Sequence, residues 1–117
     1  MTIRRIDVGA RMSQAVVHGA TVYTAGQVAM GAPGGTIAEQ TADILSRIDD
    51  LLAKAGSDKS KLISATIWLT DMRDFAEMNT VWDAWVSPGD TPGRACVEAR
   101  LAAQQYNVEI GVIAALD

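Results

Sequence analysis

The clearest periodicity in the chain is helical and lies near its middle. Apolar residues recur every three or four positions from Ile37 to Ala55, and charged residues fall mostly between them. This spacing predicts an amphipathic helix with one buried face. Thr36 and Glu39 are spaced as a capping box at its start, and Gly56 is a residue that commonly ends a helix.

A second, shorter helix is predicted after Asp71, which is a suitable N-cap, and it ends before Pro88. Its apolar stripe consists of Phe75, Met78, Val81, Trp82 and Trp85. Met and Trp at helical spacing are typical of a packed core rather than of a cofactor site.

Alternation with a period of two predicts strands around these helices. Three β-rich stretches precede the first helix, at 3–8, 13–18 and 21–28, and two strands follow the second helix, at 94–101 and 108–116. Another strand, 62–69, lies between the helices. Its odd positions are all apolar and are predicted to face the helices: Ile63, Ala65, Ile67 and Leu69.

The predicted order is therefore β-β-β-α-β-α-β-β, an α/β (α+β) fold with a mixed sheet of about six strands in a single domain, 1–117. Two helices can cover only one face of such a sheet. Several strands carry apolar or small residues on both faces, so the second face needs another cover. The simplest cover is further copies of the same chain, which predicts a closed homo-oligomer.

Composition narrows the function without defining it. The formal net charge is −4 and the pI is about 4.8, with no basic block, so no nucleic-acid partner is expected. No apolar run is long enough to span a membrane, and no secretory signal is expected, because the residues before the first strand include no apolar segment. With a single cysteine the fold needs no disulfide, so the cytoplasm is the expected location. No metal-binding motif is present.

Arg94 and Glu109 are the leading candidates for chemistry. The planar guanidinium of Arg94 suits a small carboxylate, although an Arg at a strand start is more often ion-paired or solvated. Partial burial of Glu109 would raise its pKa and suit it to exchange protons with water, and an ion pair with a basic neighbour is an equally good interpretation. Strand parity is interpreted to place both side chains, with Cys96, on the uncovered face of two neighbouring strands.

Several segments together resemble the RidA (YjgF) family of imine/enamine deaminases. Each is weak alone, and together they span nearly the whole chain in the family's order: 24–28, 40–56, 65–72, 75–79, 92–98 and 108–110. The resemblance implies a chorismate-mutase-like fold and a homotrimer with sites in the clefts between subunits. It also implies hydrolysis of 2-imino and 2-enamino acids, such as 2-aminoacrylate, to 2-oxo acids and ammonia, without a cofactor.

The same resemblance implies roles for particular residues. Arg94 matches the carboxylate-binding Arg of the family, Glu109 its water-positioning Glu, and Cys96 a Cys that lines the site. Ala25 and Gly26 match a two-residue step at the pocket wall.

Three departures separate this chain from the archetypal deaminases, and one is that Arg100-Leu101-Ala102-Ala103, shifted by one position, replaces the Arg-Leu-Pro that often follows the fifth strand. Met12 falls near the position of a Tyr that reaches the site, and Gly93 precedes Arg94 where many members have Ala. Two alternative functions stay open at this point. One is a non-catalytic sensor or docking site for small carboxylates, and the other, which the acidic balance disfavours most, is a ribonuclease or translation inhibitor.

Overall fold

A computed structural model describes residues 1–117 as two helices packed on one face of a twisted sheet. The strands are β1 (Ile3–Val8), β2 (Ser13–His18), β3 (Thr21–Thr24), β4 (Gln27–Val28), β5 (Leu62–Leu69), β6 (Gly93–Glu98) and β7 (Val108–Ala115), and the helices are α1 (Ile37–Ala55) and α2 (Phe75–Trp85). The predicted α+β class and element order are confirmed, except that the third predicted strand is split into β3 and β4 at Ala25-Gly26.

Helix α1 forms as its sequence predicts. Thr36 accepts a hydrogen bond from the Glu39 amide and the Glu39 side chain accepts one from the Thr36 amide, so the capping box is complete. Gly56 ends the helix in the left-handed conformation, with a φ of 90°. Every predicted core position of α1 is buried, and Gln40 on the same face is buried as well.

The start of the second helix differs from the prediction. Asp71 caps a 3₁₀ turn, Met72–Asp74, rather than α2 itself, which begins at Phe75. Met78 and Trp82 are buried against α1 and the sheet, while Phe75 remains 38% exposed. The exposed ring of Phe75 lies near the edge strand β6, and it matters for the site described below.

The sheet order is β1-β2-β3-β7-β5-β6, with β4 paired to the first half of β7. Strand β5 therefore lies between β6 and β7, and the expectation that the Arg94 and Glu109 strands are neighbours is wrong. The physical reason is that β5 and β6 are joined through α2, which makes them a parallel pair. The last strand, β7, then inserts antiparallel between β5 and β3.

One predicted face position in β5 is also wrong. Ala65, Ile67 and Leu69 are buried beneath the helices, but Ile63 is 52% exposed and Leu62 is buried in its place. The register of β5 against β7 shifts between Leu62 and Ser64, which marks a bulge or similar irregularity. An irregularity of this kind reverses the alternation on one side of it, so a strict period of two fails there.

The core lies between the helices and one face of the sheet, where 22 buried apolar residues form one cluster. The opposite face carries no helix. Along it, apolar side chains from four strands are exposed or half-buried. Val16, Tyr23 and Ile113 lie side by side, and Trp68 lies farther along the sheet, opposite Glu109. Neither helix is long and apolar enough to cross a membrane.

Candidate functional site

Glu109 lies on the face of the sheet that the helices leave open. Strand β7 is held on both sides at this point, since Glu109 is paired with Trp68 of β5 and with Val28 of β4. Its neighbours Val108 and Ile110 are fully buried on the helix side, and alternation turns Glu109 the other way. The central position in the sheet therefore fixes where this carboxylate projects.

The environment of the Glu109 carboxylate suits proton exchange. The side chain is half-buried and pairs with no basic group, so the ion-pair interpretation is not supported. Burial raises the pKa of Glu109 above its usual value because the charged form loses water. A carboxylate of this kind takes up a proton more readily than a solvated one.

Gly26 forms the surface against which Glu109 rests. A Cβ added to Gly26 would lie 2.1 Å from Glu109 Oε2, which is impossible for real atoms. Two hydrogen bonds hold the Ala25-Gly26 segment in place: the Ala25 amide donates to the Gln14 carbonyl at 2.8 Å, and Gln27 Nε2 donates to the Ala25 carbonyl at 3.1 Å. The structure thus brings the predicted residues Ala25 and Gly26 together with Glu109.

Arg94 lies elsewhere, on the edge strand β6 and on the helix side of the sheet. It is paired with the buried residue Ala65, so both point to the same face. Its Nη1 donates to Asn79 Oδ1 of α2 at 2.8 Å. Its guanidinium carbon stands 5.7 Å from the Phe75 ring centre and 5.4 Å from that of Trp82. The cation is thus oriented by a hydrogen bond and two aromatic rings, while its remaining N–H groups stay available.

Asn79 is a site residue that the sequence pattern did not reveal. It lies four residues after Phe75, and this spacing places both on the same side of α2 toward the β6 edge. Its half-buried amide holds the Arg94 fork from one side. The sequence signal that could have identified Asn79 is a carboxamide among aromatic residues on α2, the helix that follows β5, which is the strand paired with Arg94.

Cys96 shares the side of Arg94 and not that of Glu109. It is paired with the buried residue Ile67 and packs partly buried against the core. Burial raises the pKa of the Cys96 thiol, and nearby Arg94 opposes this only in part. The thiol is therefore neutral near pH 7, which does not suit it to act as a nucleophile.

The predicted common face for Arg94, Cys96 and Glu109 is therefore wrong for a single chain. Glu109 is level with Val97 of β6 across two strand spacings, and Arg94 is three residues from Val97. Strand geometry then separates the Arg94 and Glu109 Cα atoms by about 14 Å, on opposite faces of the sheet. Parity shows which residues of a strand share a side, but it does not show which side is covered.

The remaining candidates add little to the chemistry. Met12 lies in the connection between β1 and β2, where its carbonyl accepts from the Gly9 amide, and its side chain is exposed. No three His, Cys, Asp or Glu side chains are placed so that they could hold a metal ion together. The chain thus supplies one oriented cation and one half-buried carboxylate, on separate surfaces.

Comparison with known proteins places this arrangement in a family. A family model described as endoribonuclease L-PSP matches residues 2–116. A RutC family protein of Haemophilus influenzae is 46% identical over 97% of this chain and 98% of its own. The chain belongs to the YjgF/RutC family. The resemblance to RidA (YjgF) proteins that the sequence segments indicated is confirmed.

Solved members of the YjgF/RutC family share the whole fold. NMB1025 of Neisseria meningitidis, a member of the YjgF protein family, is 49% identical with a TM-score of 0.96, covering all of this chain and 97% of its own. Yeast Mmf1 is 24% identical with a TM-score of 0.87 over 99% of this chain and all of its own, which shows the common fold alone. The departures at Met12 and Gly93 therefore leave the family architecture unchanged.

Proposed function

We propose that this YjgF/RutC family protein hydrolyses 2-imino and 2-enamino acids to 2-oxo acids and ammonia, in clefts between the subunits of a homotrimer. The observation that carries the proposal is the half-buried Glu109 carboxylate, which rests on Gly26 with a raised pKa and no ionic partner. The oriented cation at Arg94 supplies the complementary group for the carboxylate of the substrate.

The need for two copies follows from the positions of the two groups. Arg94 and Glu109 of one chain face opposite sides of the sheet, so a substrate a few ångströms across cannot touch both. A second copy packed on the open face brings its own β6 edge toward Glu109. The apolar side chains on that face, including Trp68 and Ile113, favour such a contact. The trimer itself is what membership of the family suggests.

The proposed reaction needs only a base and an anchor. Arg94 of one subunit holds the substrate carboxylate, which places the electrophilic C=N carbon near Glu109 of the next subunit. Glu109 takes a proton from water as the water oxygen bonds to that carbon, and the C=N electron pair moves to nitrogen. Glu109 then returns the proton to nitrogen, which gives a carbinolamine. Glu109 next takes the proton of the new hydroxyl group and passes it to the nitrogen as the C–N bond breaks, so the C=O bond forms and ammonia leaves.

The other residues complete the pocket in this scheme. Ala25 and Gly26 keep the space beside Glu109 open because neither has a long side chain. Cys96 lines the Arg94 side as a neutral thiol and takes no covalent part. An enamino acid first gains a proton on its β-carbon and loses one from its nitrogen to become the imine, and no metal or organic cofactor enters any step.

A direct assay tests this function. A 2-imino acid is generated in situ from leucine or alanine by an excess of an L-amino-acid oxidase with catalase, and 2-oxo acid and ammonia are followed against buffer alone. The purified protein should accelerate hydrolysis, and Arg94→Ala and Glu109→Gln should each abolish most of the acceleration. Hydrolysis no faster than in buffer, or full activity in Arg94→Ala, would refute the proposal.

The same assay separates the main alternative. Binding of 2-oxo acids that is lost in Arg94→Ala, without turnover of any imine, would assign the cleft to sensing of small carboxylates. Ribonuclease activity finds no support in the net charge of −4 or in the residues around Glu109.

A further inference from the structure

A hollow of about 250 Å³ lies on the open face of the sheet, and its lining includes Gly26, against which Glu109 rests. Its floor is made of small residues, namely Gly26, Gly111, Ser64 and Thr66, and Trp68 and Ile113 are among its walls. Trp68 is the cross-strand partner of Glu109, and Gly111 follows Glu109 by two positions on the same face. The hollow therefore lies next to Glu109, the candidate base, on the same face of the sheet.

Its position matches the reach of a substrate side chain. Two residues along a strand span about 7 Å, so the middle of the hollow at Gly111 and Thr66 is about that far from Glu109. A benzyl or isobutyl group made of bonds of about 1.5 Å extends roughly 4–6 Å from the reacting carbon, whereas a methyl group extends only about 1.5 Å. A large side chain therefore enters the hollow and a methyl group does not.

We propose that the hollow beside Glu109 is the side-chain pocket of the active site, and that the preferred substrates are 2-imino acids with large apolar or aromatic side chains. This inference rests on the proposed deaminase function and adds to it the substrate class. The wall of Trp68 and Ile113 offers apolar contact, and the small floor leaves room for a ring. The subunit that supplies Arg94 closes the remaining side.

The packing of the backbone around Gly111 does not require a glycine in the floor of the hollow. A Cβ added to Gly111 would meet its nearest atom, Gly26 Cα, at an ordinary distance of 3.7 Å. A larger residue could therefore stand at Gly111, and it would fill the hollow. Gly111→Val is consequently a direct way to remove the pocket while keeping the strand.

The test compares imino acids made by the oxidase from phenylalanine, leucine and alanine. The wild-type protein should show a kcat/KM at least about 10-fold higher for the benzyl and isobutyl substrates than for the methyl one, since each well-packed methylene is worth a severalfold factor. Gly111→Val should remove most of this preference while turnover of the methyl substrate stays within about threefold. Ala115→Val is the matched control, because Ala115 lies on the same face of β7 beyond the hollow.

Each outcome decides the question. Activity without a preference for large side chains, or an equal loss for all substrates in Gly111→Val, overturns the inference and leaves the deaminase function standing. Failure to hydrolyse any imino acid overturns both. If Gly111→Val does not fold, Thr66→Leu fills the same hollow from β5 and gives the same comparison.

Discussion

Replacing Gly26 by Ala tests the contact on which the candidate base depends. The added Cβ would lie 2.1 Å from Glu109 Oε2 and 2.9 Å from Cδ, where about 3.4 Å is needed, so the carboxylate must move by more than 1 Å. The clash involves the free end of a flexible side chain, and the φ of Gly26 is not positive. A rotamer cost of about 1 kcal/mol is offset by a similar entropic gain from Gly→Ala, so the free energy of unfolding should change by less than about 1 kcal/mol.

Activity should respond far more strongly than stability. A displacement of about 1 Å in a catalytic group typically lowers the rate about 100-fold, and this is the loss in kcat/KM expected for Gly26→Ala with the 2-imino acid from leucine. Gly93→Ala is the matched control, because a Cβ there would meet only the Ile63 carbonyl oxygen at 3.8 Å. Urea denaturation of both variants measures stability. Unchanged activity in Gly26→Ala would refute the role given to Glu109, and a parallel collapse of stability would refute the packing argument.

Three further predictions follow from individual contacts. Because burial raises the pKa of Glu109, activity should increase as the pH rises through that pKa. Glu109→Gln should raise the melting temperature at pH 7, where the native carboxylate is charged, but not at pH 4, where it is protonated and uncharged. A melting temperature that is unchanged at both pH values would contradict this. Arg94→Lys should lower kcat/KM at least about 10-fold with little change in stability, because an ammonium group cannot reproduce the planar guanidinium that Asn79 orients. Steady-state kinetics and thermal unfolding of the variant measure both effects, and wild-type kinetics would contradict the prediction. Gln40→Leu should lower the free energy of unfolding, measured by urea denaturation, by about 3 kcal/mol. Gln40 is fully buried, and its loss leaves the Asn107 amide and nearby carbonyl groups without hydrogen-bond partners. The control Gln104→Leu, at an exposed position, should change it very little, and equal effects of the two substitutions would refute the structural role of Gln40.

The helical layer could be predicted closely from the sequence because its signals are local. The capping box at Thr36 and Glu39, the apolar period of α1 and the left-handed Gly56 all depend on residues within one or two turns of each other. Gln40 escaped prediction because its burial depends on Asn107 and Gln105, which are distant in sequence and supply the partners that make a buried carboxamide acceptable.

The site was predicted less completely because it depends on long-range pairing. The types of Arg94, Glu109 and Gly26 could be recognised, and Gly26 and Glu109 do meet. Strand parity could not show that β5 separates β6 from β7, nor that Arg94 turns toward α2 to stack on Phe75 and Trp82. That stacking explains why a charged residue is tolerated on the helix side of an edge strand.

The opposite placement of Arg94 and Glu109 leads to the central claim, that each active site is shared between two copies of the chain. Subunit mixing tests it most directly. Arg94→Ala and Glu109→Gln proteins, each nearly inactive alone, are co-expressed in equal amounts with different tags, and the mixed oligomers are purified through both tags. A mixed trimer that carries both tags has one site in three with an intact Arg94 from one subunit and an intact Glu109 from the next, so activity should return to about a third of the wild-type value. Activity no higher than that of the separate variants would show that both residues act within one chain, and would contradict the account.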